Sequence, residues 1–374
     1  MKKVLALVLA LVMALSLVAC GGAASSTAPA ASTATSAPAA EAEGTTDELG
    51  RKIVDGKVAE DFTDAAGIVH PAGLPADYPK KDITYICPFA AGGTYDVWFR
   101  VLAEKVKQLE SHWDHSFVVE YKEGASGDVG WMALYNSEPD GYTIGFAPTP
   151  YLITCIGWDK PYGIDGGFDM VDSLMLDPGV IGVAANDDRF NTLNDLIDYA
   201  IANPGGVSFG VTAVTASEGL TLKLLSDATG AEFNIIPFDG EAEILTAVSG
   251  GHCDAFCLNV SDGATFEQTG QVKYLATGDS ERSAWYPDIP TYQECGYDVV
   301  QYNCRGIAIR EGTDPVIIKY LSNCFEAAAA QEDVIAKAEE MQITALSMGT
   351  EKCNQLFHEQ NEILLDLWEV NPWN

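Results

Sequence analysis

The stretch YPKKDITYICPFAAGGTYDVWFRVLAEKVKQL, Tyr78–Leu109, sets the frame for the rest of the chain. Ile83 to Phe89 is a short apolar run rich in β-branched and aromatic residues, the pattern of a buried strand. Ala90, Ala91, Gly92 and Gly93 then make a small, permissive turn. From Thr94 the spacing becomes helical, with Val97, Val101, Leu102, Val106 and Leu109 on one side, and Thr94 is the expected N-cap. A glycine turn feeding a helix start gathers several backbone N–H groups at one spot with the positive end of the helix dipole behind them. Such a spot suits an anion such as a carboxylate. The plainer reading is that Gly92 and Gly93 only make a tight connection, and a lone glycine pair does not choose between the two.

Working outward toward the N-terminus, Met1-Lys2-Lys3 precedes an apolar run from Val4, interrupted only by Ser16, that ends at Leu17-Val18-Ala19-Cys20. A basic start, an apolar segment and small residues at the cleavage point read as a secretory signal over residues 1–19, too short and wrongly flanked for a membrane span. Cys20 after Leu-Val-Ala resembles a bacterial lipobox, so Cys20 is the expected lipidation site. That places the mature chain on the outer face of the bacterial cytoplasmic membrane. Gly21 to about Thr46 is nearly all Ala, Ser, Thr, Gly, Pro and Glu, which cannot build a core and reads as a tether. Residues 47–77 are mixed in composition, and the sequence leaves open whether they form an ordered arm or more linker.

The remaining residues suffice for two lobes of ordinary domain size. A net charge of −33, two units more negative once Lys2 and Lys3 leave, repels nucleic acid and excludes it as a partner. An anionic ligand must then be held locally, by amides and hydroxyls. Of nine cysteines, the eight beyond Cys20 are scattered through expected strands and helices rather than forming a disulfide scaffold. Cys253 and Cys257 on one strand face would stand about 13 Å apart, too far to bond. His252 points to the opposite face, so a metal site there is not expected. Most of these thiols read as small buried hydrophobes, with a Cys295–Cys304 pair left open.

After the first helix, Ser116–Tyr121 reads as a strand, and Gly124–Gly130 (GASGDVG) opens a helix running to about Asn136. Tyr142–Ala147 is a third strand. Strand–helix–strand–helix–strand argues for a parallel sheet with ligands bound beyond the carboxyl ends of its strands. A loop-rich passage to about Pro178 is expected next, then a strand at Val180–Ala184 and a helix at Thr192–Ala202. Strands follow at Val207–Val211, Asn234–Pro237, Asp254–Leu258 and Lys273–Thr277, alternating with helices at Leu220–Thr229 and Glu241–Ser249. Gly306–Arg310 is a last strand, followed by two long helices. The reading is two α/β lobes, the second inserted into the first: residues 78–178 with 298–374, and residues 179–297.

Seven blocks in one order resemble the solute-binding proteins of tripartite tricarboxylate transporters. They are the opening stretch to Arg100, GASGDVG, EPDGYTIGF (Glu138–Phe146), LNDLIDYAIANPGGVSFG (Leu193–Gly210), IIPFDGEAEILTAVSGGHCDAF (Ile235–Phe256), VKYLATGDSERSAWYPDIPTYQECGYDV (Val272–Val299) and RGIAIREGTDP (Arg305–Pro315). The resemblance covers Tyr78 to about Trp368. It implies an α/β, two-lobed, periplasmic-binding-protein-like (type II) clamshell, each lobe a sheet flanked by helices. Such a protein captures a small carboxylate outside the membrane and hands it to integral membrane permease subunits, with no cofactor or metal. Carried onto this chain, the resemblance places Phe89, Ala91, Gly92, Gly93, Thr94, Asp96 and Thr149 at the site from the first lobe. From the second come Thr212, Thr215, Ala216, Ser217, Phe238, Asp239 and Gly240. Read by themselves, Asp96 equally suits a helix-start carboxylate and Phe89 a core aromatic.

Two departures bear on the ligand. Gly219 stands where His is common in the family, and Phe238-Asp239-Gly240, followed by Glu241, replaces a frequent Tyr-Lys-Gly. With acids in place of a lysine, a monocarboxylate or a zwitterion carrying an amino group fits better than a tricarboxylate. The expected site loops contain no Lys or Arg at all. The chain carries no G-x-S-x-G, H-E-x-x-H or P-loop, and none of its five His falls in an expected site loop, so it does not read as an enzyme. A ligand sensor docking on a signalling receptor is the alternative with the same fold, and a lipid-anchored hydrolase the alternative from another class.

Overall fold

A computed structural model describes residues 44–149, 160–163, 166–214, 216–283, 285–345 and 347–370, with the side chains at 126, 363, 364, 366, 367 and 370 left aside. The leader, Cys20 and the tether up to residue 43 lie outside the described residues, as do Cys155 and Thr215, whereas the end of the expected tether, Thr45–Thr46, is a strand.

The segment that composition left open is folded. Strands β1 (Thr45–Thr46), β2 (Lys52–Val54) and β3 (Lys57–Val58) form an antiparallel sheet, and β4 (Phe62–Thr63) pairs with β5 (Val69–His70). Such small sheets bury little, so side chains must fasten them. Buried Arg51 reaches Asp47 Oδ2 (2.7 Å), the Ala76 carbonyl (2.8 Å) and His70 Nδ1 (3.2 Å). An arginine can only donate, so His70 Nδ1 accepts and the ring proton sits on Nε2. Nε2 faces Asp64 Oδ2 at 3.3 Å and Glu110 Oε1 at 3.7 Å. Glu110 in turn accepts from the Tyr320 hydroxyl at 2.6 Å, which ties the arm to the body.

The organising stretch folds as β6 (Ile83–Cys87), a turn, and α1 (Thr94–Leu109). The buried face of α1 is carried by Tyr95, Trp98, Phe99, Leu102 and Val106, while Val97 is 38% exposed. The helix is rotated from the aliphatic stripe that the spacing suggests because its three aromatics bury far more apolar surface than one valine. Gly93, not Thr94, occupies the N-cap position, and no side chain caps this end. Next come β7 (Phe117–Tyr121), α2 (Asp128–Tyr135) and β8 (Thr143–Pro148), with β6 parallel to both β7 and β8.

The passage expected to be loop-rich instead begins a single long strand, β9 (Phe168–Ala184). Its first part pairs antiparallel with β14 (Tyr302–Arg310), and its last residues pair with β12 (Ala255–Asn259) and β13 (Val272–Thr277). β9 looks loop-like in sequence because it contains Asp169, Asp172, Asp177, Pro178 and Gly179. The buried Asp172 is accommodated by the backbone amides of Met348 (3.0 Å) and Gly349 (2.9 Å) and by the Ser347 hydroxyl.

Beyond β9, α3 (Leu193–Ala202) starts with a reciprocal cap between Thr192 and Asp195. β10 (Ser208–Val211), α4 (Ser217–Thr229), β11 (Asn234–Pro237) and α5 (Glu241–Ser249) follow, with β10 parallel to both β11 and β12. α6 (Val260–Gln268) is a helix that the sequence does not announce. The C-terminal part comprises α7 (Pro315–Ala329), α8 (Glu332–Glu340), β15 (Thr344–Ala345) and α9 (Gly349–Val370), three helices rather than two. One mixed sheet, β11-β10-β12-β9-β14-β8-β6-β7, runs through the molecule, with β13 and β15 also on β9. Separate cores flank its two halves, one around Tyr85, Trp98, Phe99 and Phe325, the other around Phe190, Phe209, Leu222 and Tyr292. The seven described cysteines other than Cys20 and Cys155 are free thiols, so Cys295 and Cys304 are not paired.

Candidate ligand-binding site

The loops after β6 and β8 in one half of the sheet face those after β10 and β11 in the other. Between them lies a small cavity of about 30 Å³, room for about two or three waters. The first half contributes Phe89, Tyr95, Phe146 and Pro148 to its wall. The second contributes Thr212, Ala216, Glu218, Asp239, Gly240 and Glu241, and the connecting strand β14 adds Asn303 and Arg305. Of the residues named from sequence, Phe89, Thr212, Ala216, Asp239 and Gly240 are brought together on this wall.

The other described residues named from sequence are not on this wall. Gly92 has φ +90°, a conformation open to glycine, and its N–H donates to Asp96 Oδ2 at 2.9 Å. Asp96 also accepts from Arg100 Nε (3.0 Å) and the Tyr121 hydroxyl (2.9 Å), so its carboxylate is turned into the loop it closes, away from the cavity. Ala91, Gly93 and Thr94 are off the wall. The first-turn amides there remain the helix-start donors without intrahelical acceptors. A Cβ on Gly93 would stand 2.7 Å from the ring of Tyr95, which does line the cavity. Thr149 is fully buried, with its N–H donating to the Cys304 carbonyl (2.9 Å) and its Oγ1 accepting from the Cys304 N–H (3.0 Å), so it fastens β8 to β14. Ser217 is buried behind the wall, and Phe238 packs beside Gly210 of β10. At Gly219 a Cβ would meet the Val214 carbonyl oxygen at 1.9 Å, so the loop before α4 lies directly on its first turn and leaves no space for a histidine.

The expectation of a site without cations needs correction. The loops carry none, but β14 brings in Arg305, 3% exposed. Its Nη1 and Nη2 donate to Asp262 Oδ1 and Oδ2 at 3.0 and 2.8 Å, and Nη2 lies 3.6 Å from Asp177 Oδ2. Burial opposes that positive charge, but Asp262 and Asp177 outweigh it and raise the guanidinium pKa. Burial, with Asp262 nearby, pushes Asp177 up to about 6. Burial pushes Glu218 up to about 7, helped by Asp262 and opposed by Arg305. Glu241 is pushed up to about 7 by burial and then by Asp262. Thr212 Oγ1 donates to Glu218 Oε2 at a long 3.4 Å.

Sequence reading also missed Tyr95, Phe146, Pro148, Glu218 and Asn303. Tyr95 stacks on Phe146, with centroids 4.4 Å apart and planes at 20°, and Phe89 stands edge-on to both. Arg305 opens the block RGIAIREGTDP, where it reads only as the edge of a strand. Among the described residues, the single metal-like grouping is Asp64, His70 and Glu110, where the arm meets the end of α1 and none of which lines this cavity. There Arg51 occupies Nδ1 and leaves Nε2 protonated, so the ring offers no lone pair to an ion and acts as a hydrogen-bond relay.

Residues 98–364 match the tripartite tricarboxylate transporter family receptor, TctC. The chain belongs to this family. Protein BugT of Bordetella pertussis is 30% identical over 279 residues, 73% of this chain and 84% of BugT. Among solved structures, Rpa4515 of R. palustris with adipate is similar with a TM-score of 0.71 at 23% identity, covering 79% of this chain and 97% of that one. MatC from Rhodopseudomonas palustris with bound malate has a TM-score of 0.71 at 20% identity, covering 76% and 98%. The fold is the two-lobed, periplasmic-binding-protein-like α/β architecture, each lobe half of the mixed sheet with its helices.

Proposed function

We propose that this receptor captures a small carboxylate outside the cytoplasmic membrane and delivers it to the integral membrane subunits of a tripartite tricarboxylate-type transporter. The observation that carries the reading is the cavity closed jointly by the loops after β6, β8, β10 and β11, with helix N-termini of α1, α4 and α5 around it. Ends of parallel strands meeting across a cleft are where α/β proteins hold small anions. Structural neighbours holding adipate and malate accord with this class of ligand. The lobes divide near Pro178 and near Tyr297, and closure about those segments traps the ligand.

The leader supports export, and Cys20 supports lipid anchoring. Among the described residues, no helix is long and apolar enough to cross a membrane. Mass analysis of the N-terminal peptide tests the anchor: an unmodified Cys20, or cleavage elsewhere, removes it.

The decisive experiment is a thermal-shift and calorimetric panel of mono-, di- and tricarboxylates and amino acids on the domain from residue 44 onward. A ligand at a hundred times its Kd stabilises the folded state by about 2.7 kcal/mol, a readable shift in Tm. No shift with any member at 10 mM would remove the solute-binding reading.

A further inference from the structure

The charges lining and backing the cavity do not balance. Asp177, Glu218, Glu241 and Asp262 surround one guanidinium, Arg305, whose Nη1–Nη2 edge is already bound to Asp262, with Asp177 beside Nη2. Among the described residues no Lys, Arg or His lies within ion-pair distance of Glu218 or Glu241, although both carboxylates face the cavity from the first turns of α4 and α5. An acid pair of this kind alone is only an acidic corner. A second observation points to a ligand. Asn303 is 7% exposed and lines the same cavity, and its side-chain oxygen has no hydrogen-bond partner. A buried acceptor left unmade is costly, and what it lacks is a donor. The wall also carries Asp239 and the aromatic group Phe89, Tyr95 and Phe146, rings that attract cations through their quadrupoles, as Tyr95 does Arg305 at 5.8 Å. A metal ion fits poorly, because these carboxylates do not converge to the spacing that Asp64, His70 and Glu110 show.

We propose that the ligand carries an ammonium group as well as a carboxylate, and that Glu218 and Glu241 are its counter-ions. Asn303 Oδ1 accepts one N–H when the ammonium has one to give, and the aromatic rings cover its carbon substituents. This rests on the solute-binding reading above and narrows its ligand to an amino acid or a betaine. The carboxylate end lies toward the start of α1, whose Tyr95 lines the cavity. Burial pushes Glu218 and Glu241 up to about 7 even with Arg305 nearby, so an entering ammonium displaces their protons.

The test is calorimetry with matched pairs that differ in the nitrogen: γ-aminobutyrate against pentanoate, and glycine betaine against 3,3-dimethylbutanoate, with adipate as a plain dicarboxylate. An amine-bearing member should bind at least tenfold tighter than its carbon twin. It should release protons at pH 7, seen as a dependence of the heat on buffer ionisation enthalpy. Glu241→Gln should erase most of that preference while the carbon twin binds tighter. Glu218→Gln serves the same purpose should the first variant fold poorly. Equal or better binding of a carbon twin or of adipate by the wild-type chain overturns the ammonium subsite and leaves the solute-binding reading standing. Failure of every probe and every member of the wider panel overturns both.

Discussion

Asp96 shows how one residue can prepare a site without touching its ligand. Its carboxylate holds the Gly92 amide, the Tyr121 hydroxyl and Arg100 at once, and so fixes the turn that presents the first amides of α1. Asp96→Ala leaves the Gly92 amide and the half-buried Tyr121 phenol without their charged acceptor, while the half-exposed Arg100 loses little. The expected cost is about 2 kcal/mol of stability, read as a lower urea midpoint with unchanged m. Ligand affinity should fall with it, because the turn is no longer pinned. A variant with wild-type midpoint and affinity would show that the turn holds itself. In the sequence, Asp96 reads as a first-turn acid, which it is. That its partner would be the amide of Gly92 depended on the φ of +90° at that glycine.

Among the elements, the arm of β1 to β5 is held by Val58, Ile68 and Leu74 in the first core and by the hydrogen bonds of buried Arg51. Arg51→Ala frees Asp47, the Ala76 carbonyl and His70 together. Limited proteolysis should then cut within residues 44–77 several times faster while the two main cores unfold at nearly the same denaturant concentration. An unchanged cleavage pattern would mean that the small sheets hold without it. Element boundaries were legible where periodicity was strong, as in α1, β11 and α5. They were not legible in α6, whose Gly263 and Asp262 are poor helix formers. A Cβ at Gly263 would lie 2.6 Å from the Tyr274 hydroxyl, and Asp262 is spent on Arg305. Both residues answer to neighbours remote in sequence.

At the scale of the molecule, stability should depend on pH in a definite direction. Asp172 and Asp177 are raised to about 6, and Glu218 and Glu241 to about 7, chiefly by burial. A carboxylate whose folded pKa exceeds its unfolded one binds more protons in the folded state, so its contribution weakens as pH rises from about 4 to about 7. His70, lowered by burial, works the other way, losing stability as pH falls below its unfolded value of about 6.5. Four acids outweigh one imidazole, and the net charge of −33 adds repulsion as pH rises. Tm should therefore be higher at pH 5.5 than at pH 7.5, and Glu241→Gln should flatten the difference. A Tm that climbs between those values would contradict the burial of these groups.

The sequence by itself determined the alternation of strands and helices, the glycine turn before α1, the second-lobe loops at Thr212 and Asp239, and the family. Each of these is written in local spacing or in the order of blocks along the chain. Only the tertiary structure decided that β9 runs unbroken across both halves, that Asp96 and Thr149 turn away from the cavity, and that Arg305 enters it already bound to Asp262. The physical reason is that β9, Thr149 and Arg305 answer to partners 40 residues or more away in the chain, and Asp96 to the conformation of Gly92 and to Tyr121 on the neighbouring strand, through hydrogen bonds and desolvation that no residue pattern encodes.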